Sequence, residues 1–140
     1  MNSALLPRGS ITFAVDVTNR LRIATFCGAI TDTDLLHAYQ PVLTDVHFDP
    51  ALDDLVDLRA VSHMGVTSAG LYRIIAFYDE RAPANLSTRS AIVAPTDVLY
   101  GVSRMFQTLR GDGHAAEVAV FRRIEAAHRW LERMELAPGP

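Results

Sequence analysis

Two neighbouring hydroxyl residues, Thr67 and Ser68, stand between an apolar segment that ends near Leu58 and a helical pattern that begins at Leu71. Hydroxyls at the start of a helix lie beside unpaired backbone N–H groups and the positive end of the helix dipole. An anion is favoured there, and a phosphate on Ser68 would add roughly −1.5 to −2 charges. Plain N-capping, worth about 1 kcal/mol, is the competing interpretation. Thr67 and Ser68 are therefore the candidate phosphorylation or anion-binding residues.

The sequence lacks the patterns that usually hold metal ions. Its histidines never stand four residues apart as in a helical zinc pair, and Cys27 has no second cysteine beside it. We expect no metal site, and a small buried thiol at Cys27. Three aspartates, Asp53, Asp54 and Asp57, could hold a hard cation but lack the alternating oxygen donors of a calcium loop. We expect these carboxylates to be solvated or to cap backbone groups.

Catalytic and phosphate-binding motifs are missing as well. The chain contains neither G-x-G-x-x-G nor G-x-S-x-G, and the absence of lysine excludes a P-loop. His63 would allow a base beside Ser68, but the sequence offers no third group to orient it. These observations predict a domain that is not an enzyme and uses no cofactor.

The composition is that of one globular domain of 140 residues, of which 49% are apolar and 21% charged. The net charge is −3, and all 13 basic residues are arginines scattered among acids, which disfavours nucleic-acid binding. No apolar run approaches the roughly 20 residues that cross a bilayer, and the first residues lack the pattern of a secretion signal. We expect a cytoplasmic protein without a membrane span. The domain should cover residues 10–136, between an N-terminal tail (1–9) and a C-terminal tail (137–140).

Alternating apolar residues on both sides of an Asn-containing turn predict an N-terminal β-hairpin. Its strands should run from Ile11 to Val17 and from Leu21 to Cys27, where Gly28 ends the second. Further short, buried strands are predicted at residues 55–58, 90–94 and 117–121.

Helical patterns alternate with these strands. Thr31, with Asp34 three residues later, predicts a capped helix that Pro41 should break into two pieces. Later helices are predicted after Thr67, from Thr96 to Gly111, and along a final apolar stripe of Ile124, Ala127, Leu131 and Met134. Strands and helices that alternate with short links predict a largely parallel sheet covered by helices.

Three segments carry a resemblance to known families. VDLRAVSHMGVTSAGL (residues 56–71) resembles the signature of STAS domains, the sulfate-transporter and anti-sigma-factor-antagonist fold, with Thr67 where the family has an aspartate. RSAIVAPTDVLYGVSRMFQTL (89–109) and EVAVFRRIEAAHRWL (117–131) are similar to the SpoIIAA-like family of small bacterial proteins, also described as STAS/SEC14-like. The similarity covers residues 11–134. It implies an α/β sandwich with a mixed sheet of about five strands, an N-terminal β-hairpin and about four helices.

Ligands of open α/β sheets bind beyond the carboxyl ends of the strands. The loops after Leu58 and Ala94 are then the expected site. The candidate ligand- or partner-binding residues in and near these loops, besides Thr67 and Ser68, are His63, Met64, Tyr72, Thr96 and Tyr100.

The STAS resemblance implies a non-enzymatic regulatory or protein-interaction module, with Ser68 as its point of modulation and an unknown protein as its partner. The alternative is binding or carriage of a small apolar ligand, because SEC14-like relatives bind lipids. A pocket for it would be lined by Met64, Tyr72, Tyr100, Met105 and Phe106. The free edge of the hairpin would also allow a homodimer.

Overall fold

The computed structural model describes residues 9–81, 87–111 and 116–133. Its strands are β1 (Ser10–Asp16), β2 (Leu21–Thr31), β3 (Asp53–Gly65), β4 (Thr88–Val93) and β5 (Ala116–Phe121). The helices within these residues are α1 (Asp32–Thr44), α2 (Ser68–Arg81), α3 (Asp97–Arg110) and α4 (Ile124–Leu131). The sheet has five strands in the order β1-β2-β3-β4-β5, and only β1 is antiparallel to its neighbour. The predicted hairpin, mixed sheet and four helices are confirmed.

The helices lie on two faces of this sheet. Each of the helices α1, α2 and α3 connects a parallel strand to the next strand in the sheet, always in the same direction across the sheet. Because such connections are nearly always right-handed, all three helices lie on one face. Ile92 belongs to the core under these three helices, whereas its neighbours Ala91 and Val93 belong to a second core with Ala127 and Leu131 of α4. Side chains that alternate along β4 therefore contribute to two apolar cores, one on each face of the sheet.

The first helix is capped as the sequence predicts, but it is not broken. Thr31 and Asp34 form the reciprocal capping box, with the Asp34 amide 3.3 Å from Thr31 Oγ1. Pro41 lies inside the continuous helix α1, so the expected division into two pieces is wrong. The proline ring is exposed near the helix end, while Leu43, two residues later, is only 1% exposed. Burial of Leu43 favours continuing the helix past one missing hydrogen bond.

The second hairpin strand is longer than predicted. Gly28 does not end β2; it has a φ of 81° and lies at an irregularity in the pairing with β3, after which the strand continues to Thr31. The glycine thus permits a bulge rather than a turn. Cys27, next to it, is exposed, so the expectation of a buried thiol is also wrong.

The third strand is longer still. It begins at Asp53 and ends at Gly65, because β2 supplies a pairing partner along its whole length, as far as the Thr31–Gly65 pair. His63 and Met64 therefore lie in β3 and not in the loop where the sequence placed them. Only residues 66 and 67 separate β3 from α2. Met134 and residues 137–140 lie outside the described residues.

Candidate functional site

The start of α2 is closed by a carboxylate from the start of α1. Thr67 caps the helix, since its Oγ1 accepts a hydrogen bond of 3.4 Å from the Gly70 amide. The Thr67 amide donates to Asp32 Oδ1 at 2.8 Å, and its hydroxyl donates to Asp32 Oδ2 at 2.5 Å. An internal anion thus occupies part of the position where the sequence suggested an external one.

The Asp32 carboxylate fits there because residue 70 is a glycine. A Cβ atom at Gly70 would lie 2.1 Å from Asp32 Oδ1 and 3.1 Å from Asp32 Cβ. Any larger residue would displace the carboxylate that holds Thr67. The Gly-Leu pair in the segment that resembles STAS domains therefore has a direct packing role in this chain.

Ser68, the first residue of α2, is exposed, and its hydroxyl forms no hydrogen bond with another described residue. Tyr72, one turn later, is 58% exposed. His63 is exposed on β3, and no hydrogen bond joins its ring to the Ser68 hydroxyl. The proposed base and nucleophile are thus not connected in this structure.

The other predicted loop, after β4, contains Thr96 and Tyr100. The Thr96 Oγ1 atom caps α3 by accepting from the Leu99 amide at 3.3 Å. The guanidinium of Arg122 lies 4.3 Å from the centre of the Tyr100 ring and forms an ion pair of 2.8 Å with Asp97. The predicted residues at this loop thus serve mainly to anchor the start of α3.

A cavity of about 110 Å³ lies elsewhere, between the sheet and the face of α1, α2 and α3. Most of its lining is apolar and includes Phe26, Leu35, Val56, Leu58, Met64, Leu71, Ile74, Ile92, Val102 and Phe106. Met64 and Phe106 were predicted for an apolar pocket and do line this cavity. Tyr72, Tyr100 and Met105 do not.

One end of the cavity is polar. Asp54 and Thr88 lie at the starts of β3 and β4, and Tyr78 and Arg110 lie in the last turns of α2 and α3. Helices α2 and α3 run antiparallel to the strands, so their last turns lie beside the amino ends of the strands. All four residues are therefore at the amino ends of the parallel strands. The sequence had placed the site at the opposite, carboxyl ends.

Asp54 belongs to a buried ion pair with Arg22, which is directly across from it on β2. The Asp54 oxygens accept hydrogen bonds of 2.8 Å from Arg22 Nε and 3.2 Å from Arg22 Nη2. Burial raises the pKa of Asp54, against the opposing effect of the Arg22 charge. Burial also raises the pKa values of Tyr39 and Tyr78, whose rings are 6.1 Å apart beside this pair.

Arg110 is buried, with 6% of its surface exposed. Its Nη1 atom donates to Asp79 Oδ1 at the long distance of 3.3 Å, and the Asp79 side chain is 42% exposed. The Nε atom of Arg110 is buried and has no hydrogen-bond partner among the described residues. A buried N–H group without an acceptor costs about 1–3 kcal/mol, so the site is incomplete in electrostatic terms.

Sequence reasoning missed most of this polar cluster. It treated Asp53, Asp54 and Asp57 as solvated or capping. Asp53 and Asp57 do accept hydrogen bonds from the backbone amides of Arg89 and Arg59, but Asp54 is buried against Arg22 instead. The available signal was the alternation in β2, which places Arg22 among buried positions. An arginine inside an apolar strand pattern predicts a buried carboxylate as its partner, because buried charges are almost always paired.

The described residues also lack a metal-binding cluster and a membrane-spanning helix. No group of three His, Cys, Asp or Glu side chains there is close enough to hold a metal ion. No helix in the same part of the chain has the length and apolar character needed to cross a membrane.

No family model matches the sequence, and no curated protein matches it either. Among solved structures, the chain is similar to the crystal structure of an uncharacterized protein from the DUF3478 family, with a SpoIIAA-like fold, from Shewanella loihica PV-4. The likeness covers 94% of this chain and 98% of that chain, with a TM-score of 0.55 and 14% identity. The chain therefore has a SpoIIAA-like fold, as its resemblance to that family predicted.

Proposed function

We propose that this domain binds a small, largely apolar molecule in the cavity between the sheet and helices α1, α2 and α3. The cavity of about 110 Å³ with apolar walls is the observation that supports this function. A dry protein cavity of about 150 Å³ is known to bind benzene. The ligand would therefore be about the size of benzene, far smaller than a membrane lipid.

The energetics also favour a ligand over an empty space. Side chains that line a void lose dispersion contacts on one side, and burial of each CH₂ group is worth about 0.8 kcal/mol. Burial of five such groups would contribute about 4 kcal/mol, part of which offsets the freedom that the ligand loses on binding, so binding through apolar contacts alone should be weak. Hydrogen bonds at the polar end would increase this affinity.

Methyl NMR with benzene as the probe tests the proposal. Benzene should shift the methyl signals of Ile74, Ile92 and Val102, which line the cavity, and leave that of exposed Val98 unchanged. The variant Val102→Phe fills the space and should abolish these shifts. Val98→Phe, one turn earlier on the same helix and 66% exposed in the native protein, is its matched control. If benzene causes no cavity shifts in the native protein, the proposal fails.

A second function, a regulatory docking surface at the start of α2, is favoured by a different observation. The Ser68 hydroxyl is exposed without a partner among the described residues, and Tyr72 beside it presents a large apolar surface. A phosphate on Ser68 would meet the negative Asp32 carboxylate, so we expect modification to loosen the link between Asp32 and Thr67.

Hydrogen exchange tests this second function in the intact chain. Chemically installed phosphoserine at position 68 should speed exchange of the Thr67 amide, which Asp32 otherwise protects. Phosphoserine at exposed Ser62 on β3 is the control. Unchanged exchange at Thr67 would argue against a phosphate-controlled surface. A partner that binds the native protein but not Ser68→Ala or Tyr72→Ala would identify the surface itself.

A further inference from the structure

We propose that the molecule bound in the cavity is a small monocarboxylate whose head group binds Arg110. This inference rests on the proposed apolar-ligand function and specifies the chemical class of the ligand. It follows from three properties of the cavity: the unused donors at its polar end, the charges there, and the apolar lining and volume of the rest.

The polar end has donors without acceptors. Arg110 Nε is buried and has no hydrogen-bond partner among the described residues. The side chains of Tyr39 and Tyr78, each with a hydroxyl donor, line the same cavity. The strongest acceptor nearby, the Asp54 carboxylate, already accepts two hydrogen bonds from Arg22. A ligand that completes this site must therefore bring acceptor oxygens.

The charges favour an anion over a neutral acceptor. The guanidinium of Arg110 is a cation with five N–H donors. Its one ion pair is long, at 3.3 Å, and is made to a carboxylate that is 42% exposed to water. Asp54 is paired with Arg22 at 2.8 Å, and this positive charge offsets part of the repulsion between Asp54 and a second carboxylate. A carboxylate matches the planar fork of an arginine and forms short, charge-assisted bonds with it.

The rest of the ligand must be apolar. From Arg110 the lining continues to Phe106 and Val102 along α3, and to Ile74 and Leu71 along α2. With a volume of about 110 Å³, the cavity admits a carboxylate and a chain of about four further carbons. Pentanoate has this size.

Three probes of equal size separate the head group from the tail. Pentanoate, hexan-2-one and 2-methylhexane share a four-carbon chain, and their ends are a carboxylate, a neutral carbonyl and a branched alkyl group. Their affinities for the native protein should be measured by titration with methyl NMR. Pentanoate should bind at least tenfold more tightly than hexan-2-one, the neutral compound that keeps a carbonyl oxygen at the same position.

Variants then locate the head group. Arg110→Gln should reduce the affinity for pentanoate at least tenfold and leave that for 2-methylhexane nearly unchanged. Arg104→Gln, on the exposed side of the same helix, is the matched control and should bind all three as the native protein does. If Arg110→Gln does not fold, the comparison of the three probes on the native protein still decides the question.

The possible outcomes are distinct. Equal affinity for the three probes, or tighter binding of hexan-2-one than of pentanoate, overturns the carboxylate inference and leaves the apolar-ligand function in place. Retention of tight pentanoate binding by folded Arg110→Gln also overturns it. Absence of cavity shifts with benzene and with all three probes overturns the proposed function and this inference together.

Discussion

Replacing Gly70 by alanine tests whether Asp32 controls the start of α2. In most helices the change from glycine to alanine stabilises the protein, because alanine has about 1 kcal/mol better helix propensity. Here the new methyl group would lie 2.1 Å from Asp32 Oδ1 and 3.1 Å from Asp32 Cβ. Rotation of the carboxylate alone does not relieve the crowding, since Asp32 Cβ at 3.1 Å must also shift slightly. We therefore expect the opposite sign, a loss of stability.

The magnitude follows from the bonds that are broken. Displacement of Asp32 removes hydrogen bonds of 2.8 and 2.5 Å to the amide and hydroxyl of Thr67. Hydrogen bonds to charged groups contribute about 1.5–3 kcal/mol each, and partial exposure of this site reduces that value. After the gain in helix propensity is subtracted, Gly70→Ala should lower the free energy of unfolding by about 1–3 kcal/mol. A loss of 1 kcal/mol corresponds to about 3 °C in Tm for a domain of this size.

Urea unfolding followed by far-UV circular dichroism measures this change, with Gly101→Ala as the matched control. Gly101 lies in the helix α3, and a Cβ there would meet nothing within 4 Å, so the control should gain about 0.5–1 kcal/mol. In a background of Asp32→Ala, the Gly70→Ala change should cease to be destabilising. If Gly70→Ala stabilises the native protein as much as Gly101→Ala does, the Asp32 contact is not structural and the reasoning is refuted.

Three further changes test the rest of the fold. Leu131→Ala should cost about 2–5 kcal/mol in urea unfolding, because this side chain is 7% exposed in the core under α4; a cost below about 1 kcal/mol would show that α4 is peripheral. Asp54→Asn should cost about 3–5 kcal/mol, because it leaves Arg22, 5% exposed, without its charge partner; a neutral result would mean that water reaches the pair. Burial raises the pKa values of Tyr39 and Tyr78, whereas unfolded tyrosine ionises near pH 10, so stability should be retained below about pH 10 and fall above it. The double variant Tyr39→Phe and Tyr78→Phe should show a smaller fall between about pH 9 and pH 11, and an equal fall would place the effect elsewhere.

Local patterns predicted the elements of this fold because each depends on short-range physics. The capping box of Thr31 and Asp34 and the helix from Thr96 to Gly111 are set by neighbours within one turn, and the structure confirms both. The errors arose where distant partners decide the outcome. Pro41 stays in α1 because Leu43 is buried, and β3 extends to Gly65 because β2 is there to pair with it.

The candidate site was less predictable, because it depends on side chains from separate elements. The sequence pointed correctly to Thr67 as a helix-capping residue, but nothing near it in sequence indicates Asp32, 35 residues earlier. Likewise, Arg22 and Asp54 become partners only through the register of β2 and β3. The pattern of a single strand can indicate a buried charge, but identifying its partner requires knowing which strands are neighbours in the sheet.

The two ends of the sheet face differ in how their charges are satisfied. At the carboxyl ends of the strands, the donors at the start of α2 are partly satisfied from within the chain by Asp32. At the amino ends, the last turn of α3 places Arg110 in the interior, where among the described residues it has a long ion pair with Asp79 and its Nε has no hydrogen-bond partner. Unpaired donors in a protein interior favour acceptors from outside, because each gains a hydrogen bond that the described part of the chain does not supply. For this reason the amino ends of the strands, and not the carboxyl ends that open α/β sheets usually use, are where a ligand has most to gain.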